Sequence, residues 1–190
     1  MKRSGILNAA LSEAIATLGH LDMFMVVDAG FPIPRDAHRI DLALIENVPD
    51  VRTVLQAISA EVIVEGVTRA EYVPSHNPRL EQYLQETFAG AEFTIRPHDE
   101  MLSGMANEAK FIVRTGAYDP WGNIGLHCGV DVPVWFGPDH VTLPDYYDKW
   151  VRTTPKKTTS RPFEGDGPDL ALFFFLIPTQ QRLKVCGDFN

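Results

Sequence analysis

The stretch MFMVVDAGFPIP, residues 23–34, decides the fold. Its first five residues, 23–27, are continuously apolar, which is typical of a short buried strand. Asp28 closes this run, and Pro32 and Pro34 exclude both a helix and a central strand after it. The sequence therefore predicts a buried strand that delivers a carboxylate into a rigid loop.

Helix and strand patterns alternate on both sides of this strand. Helices are predicted over 6–18, 50–59, 77–88 and 98–109, and further strands over 42–45, 62–67, 93–95, 110–114 and 123–130. Such alternation is typical of a layered α/β fold in which helices cover a largely parallel sheet. Ligands of these sheets bind beyond the carboxyl ends of the strands, where Asp28 is expected.

The composition is that of a globular protein with an acidic surface. Of the 190 residues, 45% are hydrophobic and 22% are charged, and the formal net charge is -8. This charge offers no basic surface for phosphates, so neither a nucleic-acid partner nor an anionic membrane is expected. The longest apolar run, residues 170–178, is too short to span a bilayer.

Cysteine usage and the N-terminus favour a reducing compartment. The two cysteines, Cys128 and Cys186, cannot build a disulfide framework. The first residues lead into an amphipathic stretch that contains Glu13, not into the apolar segment of a signal peptide. We therefore expect a cytoplasmic protein.

The chain divides near residue 131. Acidic residues outnumber basic ones in residues 1–131, whereas residues 132–190 balance the two and are richer in proline. The first part is predicted to be the α/β domain and the second a C-terminal extension. Its apolar segments, including a predicted strand at 170–177, are too hydrophobic for a free tail, so we expect the extension to pack on the domain or on a neighbouring subunit.

Several chemistries lack their motifs. The sequence has no phosphate-binding glycine loop, no zinc-binding spacing and no serine-nucleophile elbow. What remains for chemistry is histidine and carboxylate side chains.

His20 and Asp28 are the first candidates. His20 follows the end of the first predicted helix, and a histidine transfers protons in either direction near neutral pH. A nearby carboxylate such as Asp28 holds an imidazole tautomer or accepts hydrogen bonds from a polyol. The alternative is that His20 only complements the dipole at the helix end, and spacing alone favours that role.

His98, Trp121 and Asn123 form a second group. His98 follows a predicted strand and begins a helix, where it either faces a ligand or is simply an exposed helix residue. Trp121 offers an apolar face to a sugar ring, and Asn123 donates to and accepts from sugar hydroxyls. The alternative for both is ordinary turn chemistry, because Asp, Pro, Gly and Asn surround them.

Five motifs follow one another in the first 131 residues. They are Gly19-His20-x-Asp22, Asp28-Ala29-Gly30-Phe31-Pro32-Ile33-Pro34, Arg39-Ile40-Asp41-Leu42-Ala43-Leu44, His76-Asn77-Pro78 and Trp121-Gly122-Asn123. In order and spacing they resemble the ribose pyranase / fucose mutarotase family, the RbsD–FucU group. The loop at 28–34 is more similar to the ribose branch, and Gly122 to the fucose branch.

The resemblance implies an RbsD-like fold and a cofactor-free sugar isomerase that interconverts the pyranose and furanose forms of D-ribose. It implies His20 as the proton-transfer residue and Asp28, His98, Trp121 and Asn123 as sugar-binding positions, with no metal. It also implies a homo-oligomer, commonly a decamer, whose active sites lie near subunit contacts.

This sequence departs from the family pattern in two places besides the extension. Trp121 stands where the family has tyrosine, so a phenolic oxygen is replaced by an indole N–H that only donates. Met101 and Leu102 stand where ribose-branch members carry a lysine. A mutarotase for another sugar such as L-fucose, and a non-catalytic sugar-binding homologue, are therefore the alternatives.

Overall fold

A six-stranded sheet organises residues 1–136 and 142–145, the part of the chain that the computed structural model describes. Its strands are β1 (Met23–Val27), β2 (Arg39–Asp41), β3 (Val64–Ala70), β4 (Glu92–Arg96), β5 (Ile112–Arg114) and β6 (Ile124–Cys128). Their spatial order is β2-β5-β1-β6-β3-β4.

The helices are mostly short. They are α1 (Ala9–Ala16), α2 (Val51–Ser59), α3 (Val73–His76), α4 (Pro78–Thr87), α5 (His98–Glu100), α6 (Ala106–Glu108) and α7 (Val132–Trp135), with a π-helical turn at Met101–Met105 between α5 and α6. The three longest described helices, α1, α2 and α4, each begin with a side-chain cap, and two of these caps, Asp50 and Asn77, are predicted from the sequence. Asn8 accepts from the amide of Leu11, Asp50 from that of Thr53 and Asn77 from that of Leu80.

The sheet is parallel except for β6. Strand β5 pairs in parallel with both β1 and β2, and β3 pairs in parallel with β4. Strand β6 lies between β1 and β3 and runs antiparallel to both. The predicted α/β class is confirmed. The reversed strand adds one consequence: the residues just before β6 lie at the same sheet edge as the residues just after β1.

Strand β1 lies at the centre of the core. All five of its residues are buried, and because successive side chains point to opposite faces, both faces of the strand are covered. Phe24 stacks on Phe111 with ring centroids 4.8 Å apart. The predicted strand at 23–27 is confirmed with its predicted bounds.

Two predicted elements differ from the structure. The strand expected at 42–45 is wrong: β2 ends at Asp41, whose carboxylate accepts from the amide of Ala43 and turns the chain, and Leu44 and Ile45 are exposed. The helix expected over 98–109 is interrupted by the π-helical turn. Apolar residues alone do not reveal either a local side-chain turn or one extra residue within a helix.

The C-terminal extension falls mostly outside the described residues. Of residues 132–190, only 132–136 and 142–145 are described, so the predicted division at residue 131 and the predicted strand at 170–177 stay predictions. In the described ranges, no helix has both the length and the apolar character needed to cross a membrane.

An ion pair between the buried Arg69 and the partly buried Glu81 joins β3 to α4. Arg69, which is 6% exposed, donates from Nε and Nη2 to the two carboxylate oxygens of Glu81, each at 2.6 Å. Its Nη1 donates to the carbonyl of Thr94, and its guanidinium lies over the ring of Phe93. The hydrogen bonds from Arg69 hold the pKa of Glu81 below its ordinary value.

We expect Glu81→Gln to lower the free energy of unfolding by about 3 kcal/mol, because Arg69 then keeps a buried charge without its counter-charge. Urea unfolding followed by circular dichroism measures this. The pKa of Glu81 is lowered in the folded state, so its ionised carboxylate stabilises the fold at neutral pH. This stabilisation is lost as the pH falls below 4.5. The difference between variant and wild type should therefore narrow in acid.

Glu100→Gln is the matched control, because Glu100 pairs with Arg96 at the surface. We expect this substitution to alter the free energy of unfolding by no more than about 0.5 kcal/mol. Two results would contradict a stabilising contact between Arg69 and Glu81. One is an equal loss of unfolding free energy in the two variants, and the other is a loss in Glu81→Gln that stays constant down to pH 3.

Candidate functional site

A cavity of about 320 Å³ opens beyond the carboxyl end of β1. Its polar lining comes from Asp28, His98 and Asn123. Its apolar walls include Phe31, Leu102 and Trp121. This volume is at the small end of ligand sites, and the mixture of polar groups and an aromatic face suits a small polyol with one apolar face.

Asp28 and Asn123 hold each other in this cavity. The amide of Asp28 donates to Asn123 Oδ1 at 3.0 Å, and Asn123 Nδ2 donates to Asp28 Oδ2 at 2.9 Å. The second carboxylate oxygen of Asp28 accepts from the amide of Gly30 at 2.8 Å. Asn123 is buried. The carboxylate is thus fixed in one orientation while each oxygen keeps further lone pairs for a ligand.

A strained turn presents Trp121. This residue has a φ of 57°, in the left-handed region that a bulky side chain seldom adopts. The turn is held from outside, since Asn77 Nδ2 donates to the carbonyl of Pro120 at 2.9 Å and Arg52 pairs with Asp119 at 2.8 Å. The strain persists because these contacts fix the turn, and it places the indole against the cavity.

The rings of Tyr72 and His76 pack against the indole of Trp121. The ring centroids of both lie 5.5 Å from that of Trp121, and Tyr72 also approaches the ring of His98 at 6.3 Å. Neither residue was predicted as part of the site. A signal was present at His76, which belongs to the His76-Asn77-Pro78 motif, but nothing in the sequence reveals that Tyr72 stacks there.

His98 reaches the cavity from the beginning of α5. Its ring lines the cavity, and its Nδ1 is buried without a hydrogen-bond partner among the described residues. Buried polar atoms in folded proteins are rarely unpaired, and such exceptions tend to occur at functional sites. This observation favours the ligand-facing interpretation of His98 over the exposed-helix alternative.

His20 lies at the other edge of the sheet. It precedes β1 whereas Asp28 follows it, and five strand residues span roughly 16 Å. Its Nε2 lies 3.3 Å from the carboxylate of Glu65 near the beginning of β3. The cavity of one chain therefore gathers Asp28, His98, Trp121 and Asn123, and His20 is not among the residues that line it.

The loop that carries His20 is firmly held. Asp22 accepts from Lys110 Nζ and from the amide of Gly19, and these two hydrogen bonds lower the pKa of its carboxyl group. The amide of Leu21 donates to the carbonyl of Cys128 at 3.0 Å. This loop is thus tied both to the start of β5 and to the end of β6.

The remaining titratable groups of the described residues include no cluster of metal ligands, and the cysteine among them, Cys128, is buried. In residues 1–136 and 142–145, no three His, Cys, Asp or Glu side chains are grouped to hold a metal ion. Burial, followed by the charges of Asp22 and Glu65, raises the pKa of the Cys128 thiol to about 11. That thiol is protonated at neutral pH and is a poor nucleophile.

Comparison with known proteins gives one family. Residues 1–131 match the model of the "RbsD / FucU transport protein family". "D-ribose pyranase 1" of Streptomyces griseus is 69% identical over 147 residues, which cover 77% of this chain and 97% of the relative. "D-ribose pyranase 2" of Rubrobacter xylanophilus is 57% identical over 147 residues, covering 77% and 96%. Both alignments are longer than the family match, so part of the segment after residue 131 is shared.

Solved structures agree with this. The structure of Bacillus subtilis RbsD complexed with D-ribose is similar with a TM-score of 0.65 and 33% identity, over 68% of this chain and 98% of that one. The fucose mutarotase of Streptococcus pneumoniae in complex with L-fucose has a TM-score of 0.57 at 18% identity, over 65% and 94%, which shows a shared fold.

The Asp28–Asn123 pair predicts the effect of a second carboxylate. In Asn123→Asp, two carboxylates face each other, and their repulsion disfavours the state in which both are ionised. We expect the free energy of unfolding to fall by about 2 kcal/mol at neutral pH. This loss should disappear as the pH falls toward 4, because protonation of one carboxylate removes the repulsion. Thermal unfolding from pH 4 to 8 measures it.

Asn123→Ala is the control for this experiment, since it removes the amide without adding a charge. Its loss of stability should not shrink in acid. Parallel pH profiles for the two variants would contradict the direct contact between residues 28 and 123.

Proposed function

The chain belongs to the RbsD / FucU transport protein family, and from this membership and the cavity we infer that it interconverts the pyranose and furanose forms of D-ribose. The relatives named D-ribose pyranase match over nearly their whole length. The observation that carries the proposal is the fixed Asp28 carboxylate beside Asn123 and an aromatic face in one small cavity.

The reaction needs only proton transfers. A base takes the proton of the anomeric hydroxyl, the bond from the anomeric carbon to the ring oxygen breaks, and an acid protonates that oxygen. The open sugar then closes through another hydroxyl, with the protons moving in the reverse sense. The reaction proceeds unaided in water, so general acid–base catalysis of about 10² to 10⁴-fold, helped by positioning, is enough.

The cavity residues supply the binding part of this reaction. Asp28 accepts hydrogen bonds from two sugar hydroxyls through the lone pairs that its contacts with Asn123 and Gly30 leave free. The indole of Trp121 covers the apolar face of the sugar ring. His98 offers a ring nitrogen to a further hydroxyl. These roles require no cofactor.

We propose that His20 supplies the proton transfer from a second copy of the chain. Within one chain His20 lies across the sheet from the cavity, so the imidazole reaches a sugar there only if another copy brings it. This agrees with a homo-oligomer whose sites lie at subunit contacts. A cytoplasmic location agrees with a monosaccharide substrate and with the scarcity of cysteine.

Replacing His20 should abolish catalysis without unfolding the protein. We expect His20→Ala to remove saturable exchange between ribose pyranose and furanose, measured by NMR exchange spectra, while bound ribose still protects the protein against thermal unfolding. His38→Ala, at an exposed histidine, is the matched control and should keep wild-type exchange. Unchanged exchange in His20→Ala would refute the role of His20.

Exchange spectra recorded with other sugars identify the preferred substrate. We expect faster exchange for D-ribose than for L-fucose. Faster exchange for L-fucose than for D-ribose would indicate a mutarotase of the fucose branch. Binding of ribose without faster exchange would indicate a non-catalytic sugar-binding homologue.

A mixing experiment tests the second copy. His20→Ala and Asp28→Asn should each be inactive alone, but co-refolding them in equal amounts should restore about a quarter of the wild-type activity, because random assembly leaves that share of sites with both residues intact. Exchange that stays at the level of the single variants would show that His20 and Asp28 act within one chain.

A further inference from the structure

An irregularity at the beginning of β3 places an acidic residue against His20. Val64 pairs with Cys128 and Gly66 pairs with His127, so Glu65 is the extra residue of a β-bulge. A bulge interrupts the regular alternation of side chains and redirects the extra one. At this bulge the carboxylate of Glu65 lies 3.3 Å from Nε2 of His20.

We propose that Glu65 is a positioning residue that holds His20 in one tautomer. A carboxylate accepts hydrogen bonds and never donates them, so Glu65 at 3.3 Å favours the ring form that carries its proton on Nε2 over the form that places a lone pair there. Nδ1 of the neutral ring then carries the free lone pair and is the atom that takes the proton from the sugar. This inference rests on the proposed catalytic role of His20.

Gly129 makes room for the carboxylate. A Cβ at residue 129 would lie 2.9 Å from Oε2 of Glu65, closer than real Cβ atoms approach their neighbours, and 3.0 Å from its Cβ, which is a tight contact. The amide of Gly129 donates to the carbonyl of Ile63 at 2.9 Å, just before the bulge. A glycine here lets the end of β6 lie directly against the bulge without displacing Glu65.

The end of β6 holds both partners of the pair. The carbonyl of Cys128 accepts from Leu21, next to His20, and the following residue, Gly129, bonds the chain beside Glu65. The imidazole is 35% exposed and the carboxylate 21% exposed. The pair is therefore ordered from the protein side and open on the solvent side, where the cavity of a second copy can meet it.

The first test is Glu65→Gln, which keeps the size of the side chain. An amide presents either an oxygen or an N–H, so His20 is no longer held in one tautomer. We expect kcat for ribose exchange to fall about tenfold or more while KM stays within about twofold. The ¹⁵N NMR signals of the His20 ring should change from those of an Nε2-protonated ring to those of a mixture.

Glu13→Gln is the matched control, because it removes the same charge from an exposed position on α1. It should leave kcat, KM and the ring signals unchanged. A purely structural role for Glu65 predicts lower thermal stability with wild-type ring signals, which would overturn the proposal.

Gly129→Ala tests the same contact without altering the charge. The added methyl group displaces the carboxylate, so we expect the same fall in kcat and the same change in the ring signals, and this variant decides if Glu65→Gln does not fold. Wild-type ring signals in the folded variants overturn the Glu65 proposal alone. Wild-type exchange in His20→Ala overturns the catalytic role of His20 itself, whatever the ring signals show.

Discussion

The pair of hydrogen bonds between Asp28 and Asn123 is the contact on which the cavity depends. It exists because β6 runs antiparallel beside β1, so a residue that ends one strand meets a residue that precedes the other. In a wholly parallel sheet these two positions would lie at opposite edges. One reversed strand thus converts two positions 95 residues apart into a fixed carboxylate with an amide beside it.

Much of this arrangement is readable in the sequence. The apolar run at 23–27 predicts β1 with its bounds, and the prolines of the following loop predict that Asp28 leaves the sheet. Asp50 and Asn77 mark helix starts because their short side chains bond the backbone locally. The resemblance of the motifs to a sugar isomerase family adds Trp121 and Asn123, which turn chemistry alone would explain without any function.

Sequence patterns do not reveal which residues the pairing of strands brings together or separates. His20 and Asp28 are eight residues apart, yet a strand between them places them at opposite edges, so nearness in sequence is misleading. Glu65 has no motif of its own, and its direction depends on a one-residue shift of register against β6. The strand expected at 42–45 fails for a local reason instead, because the side chain of Asp41 turns the chain before the apolar residues begin.

The distance between the two ends of β1 has a consequence for the isolated chain. On the proposed assignment, one molecule alone holds a sugar anchor without a proton carrier, and a proton carrier without a sugar. Turnover is then a property of the assembly, and dilution below its dissociation constant abolishes the activity of the chain.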